Sequence, residues 1–274
     1  MSRKNTKWWR PVTALLLAVT LLAMLTALAS AQPAQAVGKT DPRVLPPSSY
    51  PYGLSYSEWS IKWWHWATAT PFSASPLNTT LDPAAGCGVG QSGSVWFLGG
   101  ALGSPGDGIT RDCVVPPGTA LFVPIVNVEW DEEGMTIPVG VDQLRQIAAS
   151  ITDHTKQRSM TVDGVPIPDD QIYRTPSRVF WYTMPAVDNL YQLKCAGGFT
   201  PTCKDGGGNI VPFPLLVCTG GLNSKCTAVA VGDGYYVMLA PLPVGSHTIH
   251  FHGVFTHEFD MTMDVTYHIT VGSD

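Results

Sequence analysis

The chain has 274 residues, 45% of them apolar and 10% aromatic, and only 14% charged. That is enough apolar material for a sizeable core and too little charge for a disordered chain, while 27 Gly and 23 Pro point to turns and short elements rather than a helical bundle. A formal charge of -5 excludes the basic surface that a phosphate backbone requires, so nucleic acid is not an expected partner.

Arg3, Lys4, Lys7 and Arg10 precede an apolar run from Thr13 to Ala29 and then the small-residue stretch AQPAQA. A basic n-region, an apolar h-region and an AxA-like site predict a signal peptide over residues 1–36, cleaved after Ala36, with Ala31 as second choice. The run is shorter than the roughly 20 residues that span a bilayer, and no other stretch is long and apolar enough, so no membrane span is expected after cleavage. The mature chain, 238 residues from Val37, keeps 12 basic and 21 acidic side chains, a formal charge of -9, and is expected to be secreted or envelope-associated.

Residues 37–54, rich in Pro and Ser, are expected to run extended, ahead of a single domain over residues 55–274. A helix follows: Ser55 and Glu58 have capping-box spacing, and Pro71 marks the stop. Trp59, Trp63 and Trp66 fall at i, i+4 and i+7 on one face, with Trp64 off that stripe. Four indoles so close are either a face buried against a sheet or an aromatic platform that stacks on sugar rings of a polysaccharide or other envelope component. Apolar runs at 94–98 and 119–127 read as strands, and a second helix is expected from Val141 to His154, with Val141, Leu144, Ile147 and Ile151 on one stripe. Further strands are expected at 159–167, around a VDG turn, and at 178–184, 235–240, 247–253 and 259–271. Short aromatic or β-branched strands bounded by Gly, Pro, Asn or Asp favour a mainly β chain, an antiparallel β-sandwich of jelly-roll or Ig-like type with two short flanking α-helices.

Cys87, Cys113, Cys195, Cys203, Cys218 and Cys226 all lie in the exported part, where disulfides form. The segments CAGGFTPTC and CTGGLNSKC share the pattern CxGG(F/L)xxxC, and each can close a nine-residue loop. Local pairing 195 to 203 and 218 to 226 leaves Cys87 for Cys113; crossed bridges between the two loops are the rival.

From Phe259 to Val271 the odd positions are apolar and the even ones polar. In the preceding strand Ile249 and Phe251 share a face, which puts His250 and His252 on the opposite one. If the two strands form a hairpin, opposed residues share parity, and His250 and His252 fall beside Glu258, Asp260, Thr262 or Asp264. With His257 or His268 and one carboxylate they would make an N/O shell suited to a divalent metal, zinc or copper, the one candidate cofactor. The competing reading is an ordinary polar sheet face. The acidic run Glu129, Asp131, Glu132 and Glu133 lacks the DxDxDG calcium spacing and is expected to be a solvated loop. No GxSxG or SxxK motif supports nucleophilic catalysis.

Several segments together resemble an uncharacterised family of secreted bacterial proteins that carries a YxEWxxxWWxWA helix, a CGxGQxGxVWFL segment, a CxVPxGxALFxP strand, a VDG hairpin and a terminal DGYYVMLxPLPxGxHTIHF followed by DVTYHITV. Here they read YSEWSIKWWHWA, CGVGQSGSVWFL, CVVPPGTALFVP, TVDGVPIP, DGYYVMLAPLPVGSHTIHF and DVTYHITV, covering most of residues 56–271. The resemblance implies a single exported domain and assigns no functional residue; the family pattern has Gly at the position of His252. The expectation is an extracellular, non-catalytic binding module of unassigned ligand, with a metal-dependent extracellular enzyme at the His-rich hairpin as the alternative.

Overall fold

Helix α1 (Tyr56–Ala69) begins where the Ser55 to Glu58 spacing places it. The Ser55 hydroxyl accepts from the Glu58 backbone N–H at 3.3 Å, and the Glu58 carboxylate accepts from the Ser55 N–H at 2.8 Å. The exchange satisfies two donors that a helix start otherwise leaves open. Helix α2 (Val141–Asp153) buries Leu144, Ala148, Ile151 and Thr152; of the expected stripe, Val141 and Ile147 are only partly buried. The structure is a computed structural model and describes residues 40–102, 108–196, 202–219, 225–257 and 259–272. The signal peptide expected over residues 1–36 and Glu258 lie outside the described residues, as does the side chain of His257.

The described strands form three sheets. The six-stranded sheet contains β1 (Val95–Phe97), β3 (Ala120–Trp130), β6 (Tyr173–Arg174), β7 (Phe180–Pro185), β11 (Val217–Cys218) and β12 (Lys225–Leu239). The five-stranded sheet contains β2 (Ile109–Val115), β4 (Thr155–Val162), β5 (Val165–Pro166), β13 (Gly245–His257) and β14 (Phe259–Val271). A small third sheet is made of β8 (Lys194–Ala196), β9 (Thr202–Lys204) and β10 (Ile210–Val211). The chain is thus mainly β with two α-helices, but its sheets are mixed rather than purely antiparallel. After β1 the chain crosses to the other sheet to form β2 and then returns, so β1 and β3 pair parallel, as do β2 and β14. A tight hairpin can join only antiparallel neighbours, whereas this excursion leaves parallel pairing open.

The six-stranded sheet is covered on both faces, which explains why Ala120 to Val126 is buried at every position. On one side Leu121, Val123, Ile125 and Val237 share a core with Phe251, Phe255, Val265 and Tyr267 of the five-stranded sheet. On the other, Ala120, Phe122, Tyr236 and Met238 pack with Trp59, Trp63 and Trp66 of α1. Residues 40–54 belong to the same compact unit, which runs from Thr40 to Asp274. Val44 bridges to Leu239, the Leu45 N–H donates to Met238 O at 2.9 Å, and the Ala240 N–H donates to Arg43 O at 2.7 Å. The expected local disulfides are present: Cys87 with Cys113, Cys195 with Cys203 and Cys218 with Cys226. Among the described residues no helix is long and apolar enough to cross a membrane.

Candidate functional site

Strand β3 carries Pro124 within its apolar run, and the pairing with β12 shifts register there: Tyr236 opposes Pro124 and Tyr235 opposes Val126, leaving Ile125 between them. A residue inserted into one strand reverses the facing of all that follow. Before the shift the odd residues Leu121 and Val123 face the five-stranded sheet; beyond it the even residues Val126, Val128 and Trp130 pack on that side. Asn127, Glu129 and Asp131 are therefore turned toward α1 and the segment after β7. Opposite them on β12 stand Gly234 and Gly232. A side chain on Gly232 would begin 3.0 Å from Trp64 Nε1, and one on Gly234 would begin 2.7 Å from Asn127 Cα, so both positions must be bare for Trp64 and β3 to lie this close.

These residues line a cleft of about 400 Å³ whose walls are Trp64, Asn127, Glu129, Trp130, Leu190, Tyr191, Phe255 and Met261, with Asp260 also contributing. That volume suits a small ligand. Seven buried side-chain polar atoms lack a hydrogen-bond partner among the described residues, and four of them belong to this lining: Trp64 Nε1, Asn127 Nδ2, Glu129 Oε1 and Trp130 Nε1. A fifth, the Tyr236 hydroxyl, lies close to Asn127 and Trp64 without a well-formed bond to either. Each such atom costs on the order of 1–3 kcal/mol, so their concentration at one cleft requires an explanation.

The carboxyls of this region are not a solvated loop. Asp131 is 6% and Glu132 2% exposed. Tyr191 donates to Glu129 Oε2 at 2.7 Å, Tyr182 donates to Asp131, and the Val139 N–H donates to Glu132 Oε1 at 2.8 Å. Burial, reinforced by the Asp131 charge, raises the Glu129 carboxyl well above the usual range. Burial likewise pushes Asp131 up to about 6 and Glu133 to about 7. Asn127 and Tyr191 were not singled out from sequence, and Glu129 was read only as part of an acidic loop. The readable signals were Pro124 inside an apolar run and the paired glycines of GDG at 232–234.

The four tryptophans of α1 are all 8% exposed or less, so the helix offers no open stacking platform. Trp59 donates to Pro51 O at 2.9 Å, Trp63 to Leu98 O at 2.7 Å and Trp66 to Val89 O at 2.8 Å, which makes them anchors. Trp64 alone keeps its N–H uncommitted and borders the cleft. The one exposed tryptophan among the described residues is Trp181, 62% exposed on β7.

The His-rich hairpin has the parity its sequence requires, with His252 opposite Asp264 and His250 opposite Thr266. The Asp264 carboxylate meets both imidazoles, at 2.9 Å from His250 Nε2 and 3.4 Å from His252 Nδ1. His268 instead faces Asp112 of β2 at 3.0 Å. Among the described residues the one set of three metal-binding donors within 4.8 Å of one another is Cys195, Cys218 and Cys226, whose sulfurs are committed to disulfides.

No protein-family model matches the chain, and no curated protein matches it significantly.

Proposed function

We propose that the protein is an exported binding protein, its two large sheets the layers of a β-sandwich, and that its cleft holds a neutral saccharide unit. The observation that carries this reading is the set of partnerless polar atoms beneath one aromatic-walled cleft. Two indole N–H groups and an amide offer donors, and the Glu129 carboxyl offers a further polar contact. Tyr191, Phe255 and Met261 supply apolar surface for the face of a sugar ring. Lys, Arg and His are absent from the described lining, whereas Glu129 and Asp260 are present, which disfavours an anionic ligand. The orphan atoms lie just under the cleft surface, so binding entails small side-chain turns of the kind common on ligand entry.

The test is a tryptophan-fluorescence titration of the mature protein against a panel of neutral oligosaccharides. Saturable quenching is expected with at least one of them. Trp64→Phe, which keeps a ring and removes the donor, and Asn127→Ala should each weaken binding about tenfold, roughly one hydrogen bond, with circular dichroism confirming that each variant is folded. A flat response across the panel, or variants that bind like the native protein, would sink the proposal.

A further inference from the structure

On the outer face of the five-stranded sheet, His250 and His252 share one carboxylate. Asp264 is acceptor-only when ionised, so each imidazole nitrogen that faces it must present a proton or a cation. The other nitrogen of His252, Nε2, lies 3.3 Å from the Gln157 side-chain oxygen, also an acceptor. A neutral imidazole carries a single N–H, so it cannot donate to Asp264 and Gln157 at once. A second proton or a cation on the ring satisfies both acceptors; with a metal ion at Nδ1 the ring carries its proton on Nε2, directed at Gln157, the outer-shell arrangement that metal-bound histidines ordinarily adopt. The two histidines stand at i and i+2 on β13, on one face, with Asp264 on the adjacent strand β14. Their side chains are 37%, 24% and 45% exposed for His250, His252 and Asp264, so an ion can reach them. The three do not yet converge to within 4.8 Å, so an ion would draw them together by rotamer changes.

We infer that His250, His252 and Asp264 form a binding site for a divalent transition metal, with Gln157 positioning His252. An N₂O set of two imidazoles and a carboxylate suits zinc, copper or nickel and not calcium or magnesium. On binding, the ion displaces the proton between His250 Nε2 and Asp264 and the one between His252 Nδ1 and Asp264. Those protons pass to the opposite ring nitrogens or to solvent. The site stands apart from the cleft, and neither depends on the other.

The experiment is calorimetric titration of chelator-treated mature protein with zinc, copper(II) and nickel, each alone. One equivalent should bind saturably, in the micromolar range for at least one of the three. His250→Ala, His252→Ala and Asp264→Asn should each weaken binding by at least about tenfold, and Gln157→Leu by a smaller factor. His268→Ala, on the same face but paired with Asp112, should leave it unchanged, with circular dichroism confirming that every variant is folded. The inference is overturned if the native protein takes up no ion, or if the His250→Ala, His252→Ala double variant binds as tightly as the native protein.

Discussion

Glu129 accepts one hydrogen bond, from Tyr191, and its other oxygen is buried without a partner. Ionising such a carboxyl leaves a charge in a poorly hydrated site, and Asp131 and Glu133 nearby add repulsion. The folded chain therefore holds these protons to higher pH than the unfolded chain, whose carboxyls titrate near about pH 4. Between about pH 4 and 7 the folded state binds more protons, so stability falls as pH rises through that window. Asp41, held below the usual range by its hydrogen bond to Arg43, acts in the opposite sense and at lower pH, so the two effects separate. Glu129→Gln should consequently raise stability by roughly 1–3 kcal/mol at pH 7.5, several degrees in Tm, and by much less at pH 4.5. Thermal melts at the two values check this; an equal shift at both would mean that Glu129 carries no raised proton affinity.

The two large sheets pack tightly where β13 passes the irregularity in β3. A Cβ on Gly253 would sit 2.2 Å from Val126 Cγ1 and 3.3 Å from Ile125 O, so the glycine admits the paired inward residues that follow Pro124. Gly253→Ala should cost about 2 kcal/mol by overpacking, and adding Val126→Ala, which removes the clashing methyl, should recover part of it. Urea denaturation of the cycle reads the coupling; strictly additive losses would place the strain elsewhere. This contact also shows which features were readable from residue order. The capping box at Ser55, the parity of β13 and β14 and the adjacent cysteine pairs are local, and each was recoverable from spacing. The facing of Asn127 and Glu129 was not, because it depends on a register shift between strands about a hundred residues apart in sequence. A periodicity that ends at Asn127 therefore reads Glu129 as loop. The indoles of α1 left two readings open for a related reason: aromatic spacing defines a face, and only the fold decides whether sheet or solvent meets it.

At the scale of the molecule, Cys87 and Cys113 join the segment after α1 to strand β2, an edge strand of the five-stranded sheet. The same junction is held by Arg111, 2% exposed, which donates to Pro76 O at 2.7 Å and Asn78 O at 3.2 Å, and by the Asp112 N–H, which donates to Pro83 O at 2.9 Å. β2 pairs in parallel with β14, a strand more than a hundred residues away in sequence, so no short turn returns it to that edge. The other two bridges each join residues directly opposed on neighbouring strands, eight positions apart, which pairing already holds together. Closing a loop removes more entropy from the unfolded chain the longer it is. The separation of 26 residues in the first case corresponds to about 3.5 kcal/mol and the separations of 8 to about 2.5 kcal/mol each. Replacing Cys87 and Cys113 together by Ala should therefore lower the free energy of unfolding more than the same change at either short bridge. Because β2 would then be held by hydrogen bonds and by the packing of Ile109 and Val115 without a covalent link, its amides should also lose protection from exchange before those of β13. Denaturant unfolding without reductant, paired with hydrogen exchange, measures both. A loss at Cys87 and Cys113 no larger than at Cys195 and Cys203, with β2 still protected, would show that the buried Arg111 junction is sufficient to hold that edge.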